Sequence, residues 1–207
     1  GCQRFTAVVG LVEENIFAVA QDVAGRMWLA YGGVGLYVLD EGGTPLDKSD
    51  DLWMSFDESD GLIDVEVYSI APDGAGNIWI ATQSGLVKFD GYDTKRYHPD
   101  LTDSTTMGEL LTYVLHEDRR GRIWIGCQQA VFRYNPEYGS FTRFPYTGLI
   151  DFDDGNQLGA TTILDNNRGR IYFGVSSQIG WSGSRALFYY DEEKDTMISY
   201  DPGDSQD

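Results

Sequence analysis

The residues best placed to touch a ligand lie in one long loop near the C-terminus. The loop runs from Ser176 to Arg185, is rich in glycine and serine, and contains Gln178, Trp181 and Arg185. An indole ring in such a loop can stack on a ligand such as a sugar ring. These three residues therefore form the first predicted ligand site; the alternative is that Trp181 folds back and only covers the protein.

Two histidines could serve in acid–base chemistry. His98 lies beside Pro99, and His116 ends an apolar run. Neither has a nucleophile or a second histidine near it in sequence, and the chain has no phosphate-binding glycine loop, zinc motif or nucleophile elbow. We therefore predict no catalytic residue.

Acidic runs could bind a metal ion. One run covers residues 57–61, and a second, at 151–156, contains Asp151, Asp153 and Asp154. Oxygen ligands in a tight turn can hold calcium. Neither run has the helix-flanked calcium loop or its distal glutamate. We predict no cofactor, with calcium at these aspartates as the alternative to solvated turn acids.

The charge of the chain limits its partners. The formal net charge is -18, with 33 acidic residues against 15 basic ones. A nucleic-acid or anionic-membrane binder would have the opposite sign. We therefore predict no nucleic-acid binding. No run approaches eighteen apolar residues, so we also predict no membrane insertion. Cys2 follows Gly1, which suits a lipoprotein anchor but equally an expression scar or a trimmed fragment.

A repeated strand positions these residues. Its centre is a glycine, any residue, an apolar residue, an aromatic and another apolar residue. The four copies begin at glycines 45 to 51 residues apart: Gly25, Gly76, Gly121 and Gly169. Periods in the forties are typical of propellers and helical arrays.

The residues around each copy decide between those architectures. A turn former stands three residues before each glycine: Asp22, Asp73, Asp118 and Asn166. A strand-like run precedes each turn, two more follow each central strand, and no window has helical periodicity. Four antiparallel strands in forty-odd residues make a β-propeller blade. We name these strands a to d in chain order.

The aromatic residue at the centre of each copy occurs at the same place in every blade. These residues are Trp28, Trp79, Trp124 and Tyr172. A residue that every blade requires serves blade-to-blade packing. We therefore predict a structural role for them, not a sugar-binding platform.

In a blade, the b–c loops and the d–a connectors lie on one face and the a–b turns on the other. The a–b turns keep one length, whereas the b–c loops vary, and variable loops are where binding residues concentrate. The short b–c loops add Tyr31, Gln83 and Gln128 to the predicted ligand residues.

The second copy resembles the two-component regulator propeller repeat. The matching residues are Gly61-Leu62, Val67 to Ile70, Asp73, Gly76, Ile78 to Thr82, Gly85-Leu86 and Phe89-Asp90. The other copies fit in part, with departures at Cys127, Ala130 and Tyr172-Phe173. The resemblance implies the periplasmic sensing region of a hybrid two-component system, common in glycan-degrading bacteria.

These observations predict an all-β fold, a single β-propeller domain or segment over residues 1–207. Its four four-stranded antiparallel blades are expected at about 10–56, 61–97, 108–144 and 158–200, with residues 3–9 as an extra outer strand. That extra strand favours a segment of a larger propeller, or a ring completed by a partner. The alternative is a closed ring of four blades.

The predicted function is a periplasmic or extracellular, non-catalytic module that senses or recognises a ligand such as a glycan. The first alternative is an assembly module whose open blade faces self-associate or receive further blades. The second is a lyase, because some propeller lyases use a histidine–glutamate arrangement.

Overall fold

The computed structural model describes residues 15–43, 47, 49–98, 100, 107, 111–146, 158–166, 168–177 and 185–200. The strands are β1 (Ile16–Gln21), β2 (Met27–Tyr31), β3 (Gly35–Asp40), β4 (Leu52–Phe56), β5 (Val67–Pro72), β6 (Ile78–Thr82), β7 (Gly85–Phe89), β8 (Thr94–Tyr97), β9 (Thr112–Glu117), β10 (Ile123–Cys127), β11 (Ala130–Asn135), β12 (Ser140–Pro145), β13 (Leu158–Asp165), β14 (Ile171–Ser177), β15 (Arg185–Asp191) and β16 (Thr196–Ser199). A 3₁₀ helix covers Glu58–Asp60.

Consecutive strands pair into four separate four-stranded sheets, β1 to β4, β5 to β8, β9 to β12 and β13 to β16. The strand pairs within them are antiparallel. We call these sheets blades 1 to 4. The prediction of an all-β protein made of four four-stranded antiparallel propeller blades is confirmed.

The chain divides into two compact units, residues 1–96 and 97–207. The first unit contains blade 1 and most of blade 2, and the second contains blades 3 and 4. The described residues contain no helix long and apolar enough to cross a membrane. The grouping of all blades into one domain, and the extra strand at 3–9, which lies outside the described residues, stay predictions.

Each a–b turn is built around its first residue. In blade 1 the Asp22 carbonyl accepts a hydrogen bond from Gly25 N, and Asp22 N donates to Arg26 O, both at 3.0 Å. Gly25 has a φ of 88°, in the left-handed region that only glycine enters without strain. The other three turns repeat these bonds at Asp73, Asp118 and Asn166.

The core of the first unit lies between blades 1 and 2. Trp28 is 2% exposed and packs with Leu36 and Val38 of its own blade against Ile78 and Ile80 of blade 2. Its ring centroid lies 5.9 Å from that of Phe89 on β7. Apolar burial between facing sheets therefore stabilises this unit.

The core of the second unit repeats this arrangement between blades 3 and 4. Trp124 is fully buried, with its ring 5.4 Å from Phe173 and 4.9 Å from Tyr190 of blade 4. Gly126, also on β10, lets the two sheets approach, because a Cβ there would lie 2.8 Å from the carbonyl oxygen of Ala160.

Blade 4 differs from the others at the central aromatic position. Trp28, Trp79 and Trp124 are at most 2% exposed. Tyr172 is only half-buried and contacts the rings of Tyr189 and Tyr200 in its own blade. The side of blade 4 that carries Tyr172 thus lacks the burial found at the tryptophans.

Candidate functional site

Strand a of every blade carries a β-bulge at the same place. In blade 1, Ile16 pairs with Tyr31 and Ala18 with Ala30, so Phe17 has no partner on β2. The equivalent unpaired residues in blades 2, 3 and 4 are Tyr68, Tyr113 and Thr161. Bulges redirect a side chain and are common beside binding sites. Three of the four redirected side chains are aromatic.

The two bulge residues of the first unit contact each other. The ring centroids of Phe17 and Tyr68 lie 6.2 Å apart, at an interplanar angle of 73°. Phe17 lies over Gly32, where an added Cβ would come within 2.6 Å of its ring. Phe17 nevertheless remains 51% exposed. An aromatic pair that packing leaves half open is available to a ligand.

Polar groups surround Tyr68. Its hydroxyl donates to Oε1 of Gln83, on the b–c loop, at 3.3 Å. The backbone N–H of Gln83 donates to the Glu66 carbonyl at 3.0 Å, which fastens the loop to the d–a connector. Burial raises the pKa of the Tyr68 phenol, and the charges of Glu66 and then Asp64 raise it further. Both carboxylates are therefore close enough to act on the phenol.

The two carboxylates differ in how they are held. Both Asp64 oxygens accept hydrogen bonds, one from Glu66 N at 2.9 Å and the other from Ser84 Oγ at 2.5 Å. The Glu66 carboxylate has no hydrogen bond or ion pair among the described residues, and it lies 3.4 Å from where a Cβ on Gly33 would be. Asp64 thus stiffens the connector, while Glu66 can accept from a ligand.

We call Phe17, Asp64, Glu66, Tyr68, Gln83 and Ser84 the bulge site. The side chains of this site present ring surface, carboxylate oxygens, an amide and a hydroxyl, and include no basic group, thiol or imidazole. Such a set binds polar ligands that also have an apolar face.

The second unit has a related arrangement around the bulge of blade 3. Tyr113 is half-buried, and its ring lies over Gly159 of blade 4, where an added Cβ would come within 2.6 Å. The bulge of blade 4 carries the exposed Thr161. The aromatic contact surface is therefore smaller here than in the first unit.

The predicted short-loop residues have different positions. Gln83 is exposed and belongs to the bulge site. Tyr31 ends strand β2, is only 5% exposed and packs edge-on against Tyr37, so its ring is covered. Gln128 is half-buried in the second unit. Of these three predicted residues, the structure places only Gln83 in the bulge site.

Most of the predicted long-loop site lies outside the described residues. Gln178 and Trp181 lie outside the described residues, and Arg185 is described only as the first residue of β15, where it pairs with Ser176. The calcium candidates Asp151, Asp153 and Asp154 also lie outside them, as does Cys2. Among the described residues no group of three metal-ligating side chains occurs.

The first acidic connector has an evident local role. Asp57 caps the 3₁₀ helix by accepting from Ser59 N at 2.7 Å, and Asp60 Oδ2 accepts from Asp57 N at 3.0 Å. Gly61 ends the helix with a φ of 117°. These carboxylates satisfy backbone donors, as expected of turn acids.

Both histidines belong to the second unit, whereas the bulge site belongs to the first. His98 is exposed at the end of β8. His116 is half-buried on β9, and its Nε2 atom is buried without a hydrogen-bond partner in the described part of the chain. Burial lowers the pKa of His116 despite the nearby charges of Asp165, Asp118 and Glu117.

The bulge aromatics were missed by the sequence analysis, although a signal existed. Phe17, Tyr68 and Tyr113 each stand five residues before the turn aspartate of their blade. In a regular strand such a residue would alternate with its neighbours between the two faces, so its spacing alone does not indicate a redirected side chain. The bulge is a property of strand pairing and is not visible in the alternation.

Residues 61–84 match the family described as two component regulator propeller. The match covers the connector of blade 2, its bulge and its b–c loop, and it confirms the resemblance found at this copy. A curated relative, histidine kinase P4 of Formosa agariphila, is 38% identical over 60 residues, which are 29% of this chain and 4% of that protein.

Two solved structures from B. thetaiotaomicron show the same fold. One is the extracellular domain of a protein assigned as a one component system, with TM-score 0.68, 18% identity, and coverage of 90% of this chain and 24% of the other. The second, the extracellular domain of a hybrid two component system, has TM-score 0.63, 20% identity, and coverage of 86% and 22%. This chain thus spans about a quarter of those structures.

Proposed function

We propose that this chain, with its two component regulator propeller repeat, is a non-catalytic recognition segment of an extracellular sensor and that the bulge site binds a carbohydrate. The observation that carries the proposal is the half-exposed Phe17–Tyr68 pair beside Glu66 and Gln83. The extracellular domains of one component and hybrid two component systems that share this fold support the cellular location and the role.

The chemistry of the bulge site favours an uncharged polar ring ligand. The axial C–H groups of a sugar pack on aromatic faces, and its hydroxyls donate to carboxylates and bond to amides. The amide of Gln83 and the carboxylate of Glu66 can form these hydrogen bonds with sugar hydroxyls. An anionic ligand is disfavoured, because Asp64 and Glu66 bring negative charge and the site has no cation.

Binding to a glycan array, followed by calorimetry with the best glycan, tests the proposal. We expect Tyr68→Ala to weaken binding at least about tenfold, equivalent to about 1.4 kcal/mol. The matched control is Tyr92→Ala, because Tyr92 is 93% exposed and lies in a turn away from the site. Equal affinity of Tyr68→Ala and the wild type would exclude the bulge site.

Two further variants test whether the ligand is a neutral sugar or a cation, and whether the long loop binds it. Glu66→Gln keeps the shape and hydrogen-bonding capacity of the side chain, so a neutral sugar should bind within a few-fold of wild type, whereas a cation should be lost. Trp181→Ala tests the long loop. Loss of binding in Trp181→Ala alone would move the site to that loop.

A further inference from the structure

The side of blade 4 that carries Tyr172 exposes apolar residues at positions whose equivalents are covered in blades 1 and 3. Strand pairing places Leu164, Tyr172 and Tyr189 in one row across this side, and Leu187 with Tyr200 in the next. Leu164 is 61% exposed, Tyr200 45% and Leu187 40%. The equivalent row in blade 3 contains the fully buried Trp124.

In blade 4, one side of the sheet packs against Trp124 of blade 3. The corresponding side of blade 1 is the one that does not carry Trp28. In blade 4 that side carries Phe173 and Phe188, which are buried against the Trp124 cluster. Pairing places Val19, Leu29 and Tyr37 at the same positions in blade 1. Val19 is 52% exposed, and the other two are half-buried. Blade 1 therefore presents an uncovered receiving side.

A charged contact specifies how blade 3 meets blade 4. Arg120 and Arg122, on the a–b turn of blade 3, both form salt bridges at 2.5 Å with Glu192, on the c–d turn of blade 4. The Arg122 guanidinium also lies 5.3 Å from the ring centre of Tyr190. The two arginines and the glutamate thus fix the register of the packed sheets.

The same charges recur at the two uncovered sides. Blade 4 carries Arg168 and Arg170 in the positions of Arg120 and Arg122, and blade 1 carries Glu41 in the position of Glu192. Blade 2 has Ala75 and Asn77 in the arginine positions, and blades 2 and 3 have Gly91 and Pro136 in the glutamate position. The paired arginines and their glutamate acceptor are therefore found where blade 3 meets blade 4 and at the uncovered sides.

We propose that the Tyr172 side of blade 4 packs on the Val19 side of blade 1 in a second copy of this chain, with Arg168 and Arg170 bonded to Glu41 of that copy. The contact would repeat the one between blades 3 and 4, in both its apolar rows and its charges. Because two different surfaces meet, the interface is heterologous and joins copies head to tail.

Sedimentation equilibrium of the full chain, over concentrations up to about 100 µM, tests this interface; contacts of standard size associate in or below that range. We expect concentration-dependent association in the wild type. Arg170→Glu should weaken it at least about tenfold. Lys95→Glu, the same charge change on the outer strand of blade 2, is the control and should associate like the wild type.

The charge swap makes the test specific. Arg170→Glu combined with Glu41→Arg restores opposite charges across the interface, so we expect association to return. Leu164→Asp should abolish association through the apolar row, and circular dichroism checks that each variant is folded. A wild type that is monomeric throughout, or an oligomer unaffected by both Arg170→Glu and Leu164→Asp, would overturn the proposal.

Discussion

At the scale of single residues, one aspartate organises each of the first three a–b turns. In blade 3, Asp118 Oδ1 accepts from the backbone N–H groups of Arg120 and Arg122, and Oδ2 accepts from Arg122 Nε and from Trp124 Nε1 at 2.8 Å. Burial acts to raise the pKa of Asp118, but these hydrogen bonds outweigh it and leave the pKa below its usual value. The carboxylate thus joins the turn to the core tryptophan.

Blade 4 shows why the aspartate and the tryptophan occur together. Asn166 Oδ1 accepts from Arg168 N and Arg170 N, as the aspartates do. Tyr172 replaces the tryptophan, so no indole N–H needs a second acceptor. An amide is sufficient for the turn alone, whereas the turn and an indole together require both oxygens of a carboxylate.

Asp118→Asn should therefore destabilise the protein although it preserves the side-chain shape. The new amide N–H₂ would face two donors, Trp124 Nε1 and Arg122 Nε, and leave the buried indole unsatisfied, at a cost of about 2–3 kcal/mol. Urea denaturation measures the change. Asn166→Asp is the control, for which we expect a change within about 0.5 kcal/mol. Equal effects of the two substitutions would contradict this role of the indole.

His116 should make stability depend on pH in the weakly acidic range. The folded-state pKa is lowered by burial, so below about pH 6.5 the unfolded chain binds a proton that the folded chain does not. The free energy of unfolding should then decrease on acidification, by at most about 1.4 kcal/mol per pH unit for this one group. The measurement is urea denaturation at pH 7, 6 and 5. His116→Gln should reduce the slope, and identical slopes would contradict the assignment.

At the scale of elements, strand a of each blade has two roles. Each strand a must pair with strand b for its length, yet each also carries one bulged residue near its start. The bulge turns an aromatic side chain out of the packed row without ending the strand. Strand a of a blade can thus contribute both to the sheet and to a contact surface.

Close approach of blades 3 and 4 depends on the small residue on β10. A Cβ at Gly126 would lie 2.5 Å from Val114 Cγ1 and 2.8 Å from the Ala160 carbonyl oxygen. Gly126→Val should therefore separate the sheets and destabilise the second unit by about 3 kcal/mol. Thermal denaturation measures this. Val114→Ala added to Gly126→Val should not restore stability, because the carbonyl contact involves backbone; full rescue would show that Val114 is the obstacle.

At the scale of the whole molecule, the charge of -18 is the dominant property. Such an excess repels itself in the folded state and keeps chains soluble. Where blade 3 meets blade 4, two arginines, Arg120 and Arg122, form salt bridges with one glutamate, Glu192. These salt bridges are locally attractive although the protein as a whole has a strongly negative net charge.

Salt should therefore stabilise the protein. Screening of the net repulsion increases as the Debye length falls from about 30 Å at 0.01 M to about 10 Å at 0.1 M salt. We expect the Tm to rise by several degrees between these NaCl concentrations, measured by differential scanning calorimetry. The Asp118→Asn variant should show the same salt response from its lower Tm. A Tm that falls with salt would mean that attractive ion pairs dominate.

The sequence by itself determined the blade, the turn and the buried tryptophan, because the interactions that create them are short in range. Asp118 reaches Trp124 six residues later, and Gly121 closes the turn between them. Local spacing is sufficient to specify such contacts, which is why the four strands of each repeat could be assigned from the pattern.

Only the tertiary structure showed which side chains meet at the bulge site and which sides of the blades are exposed. Tyr68 meets Gln83 across 15 residues and Asp64 meets Ser84 across 20, and both contacts depend on how strands and connectors fold over one another. The bulge arises from strand register, and the exposure of Leu164 depends on what covers its sheet. Neither is encoded in the alternation of apolar residues, so the sequence predicted only Gln83 of the bulge site, and it predicted open blade faces without the residues that form them.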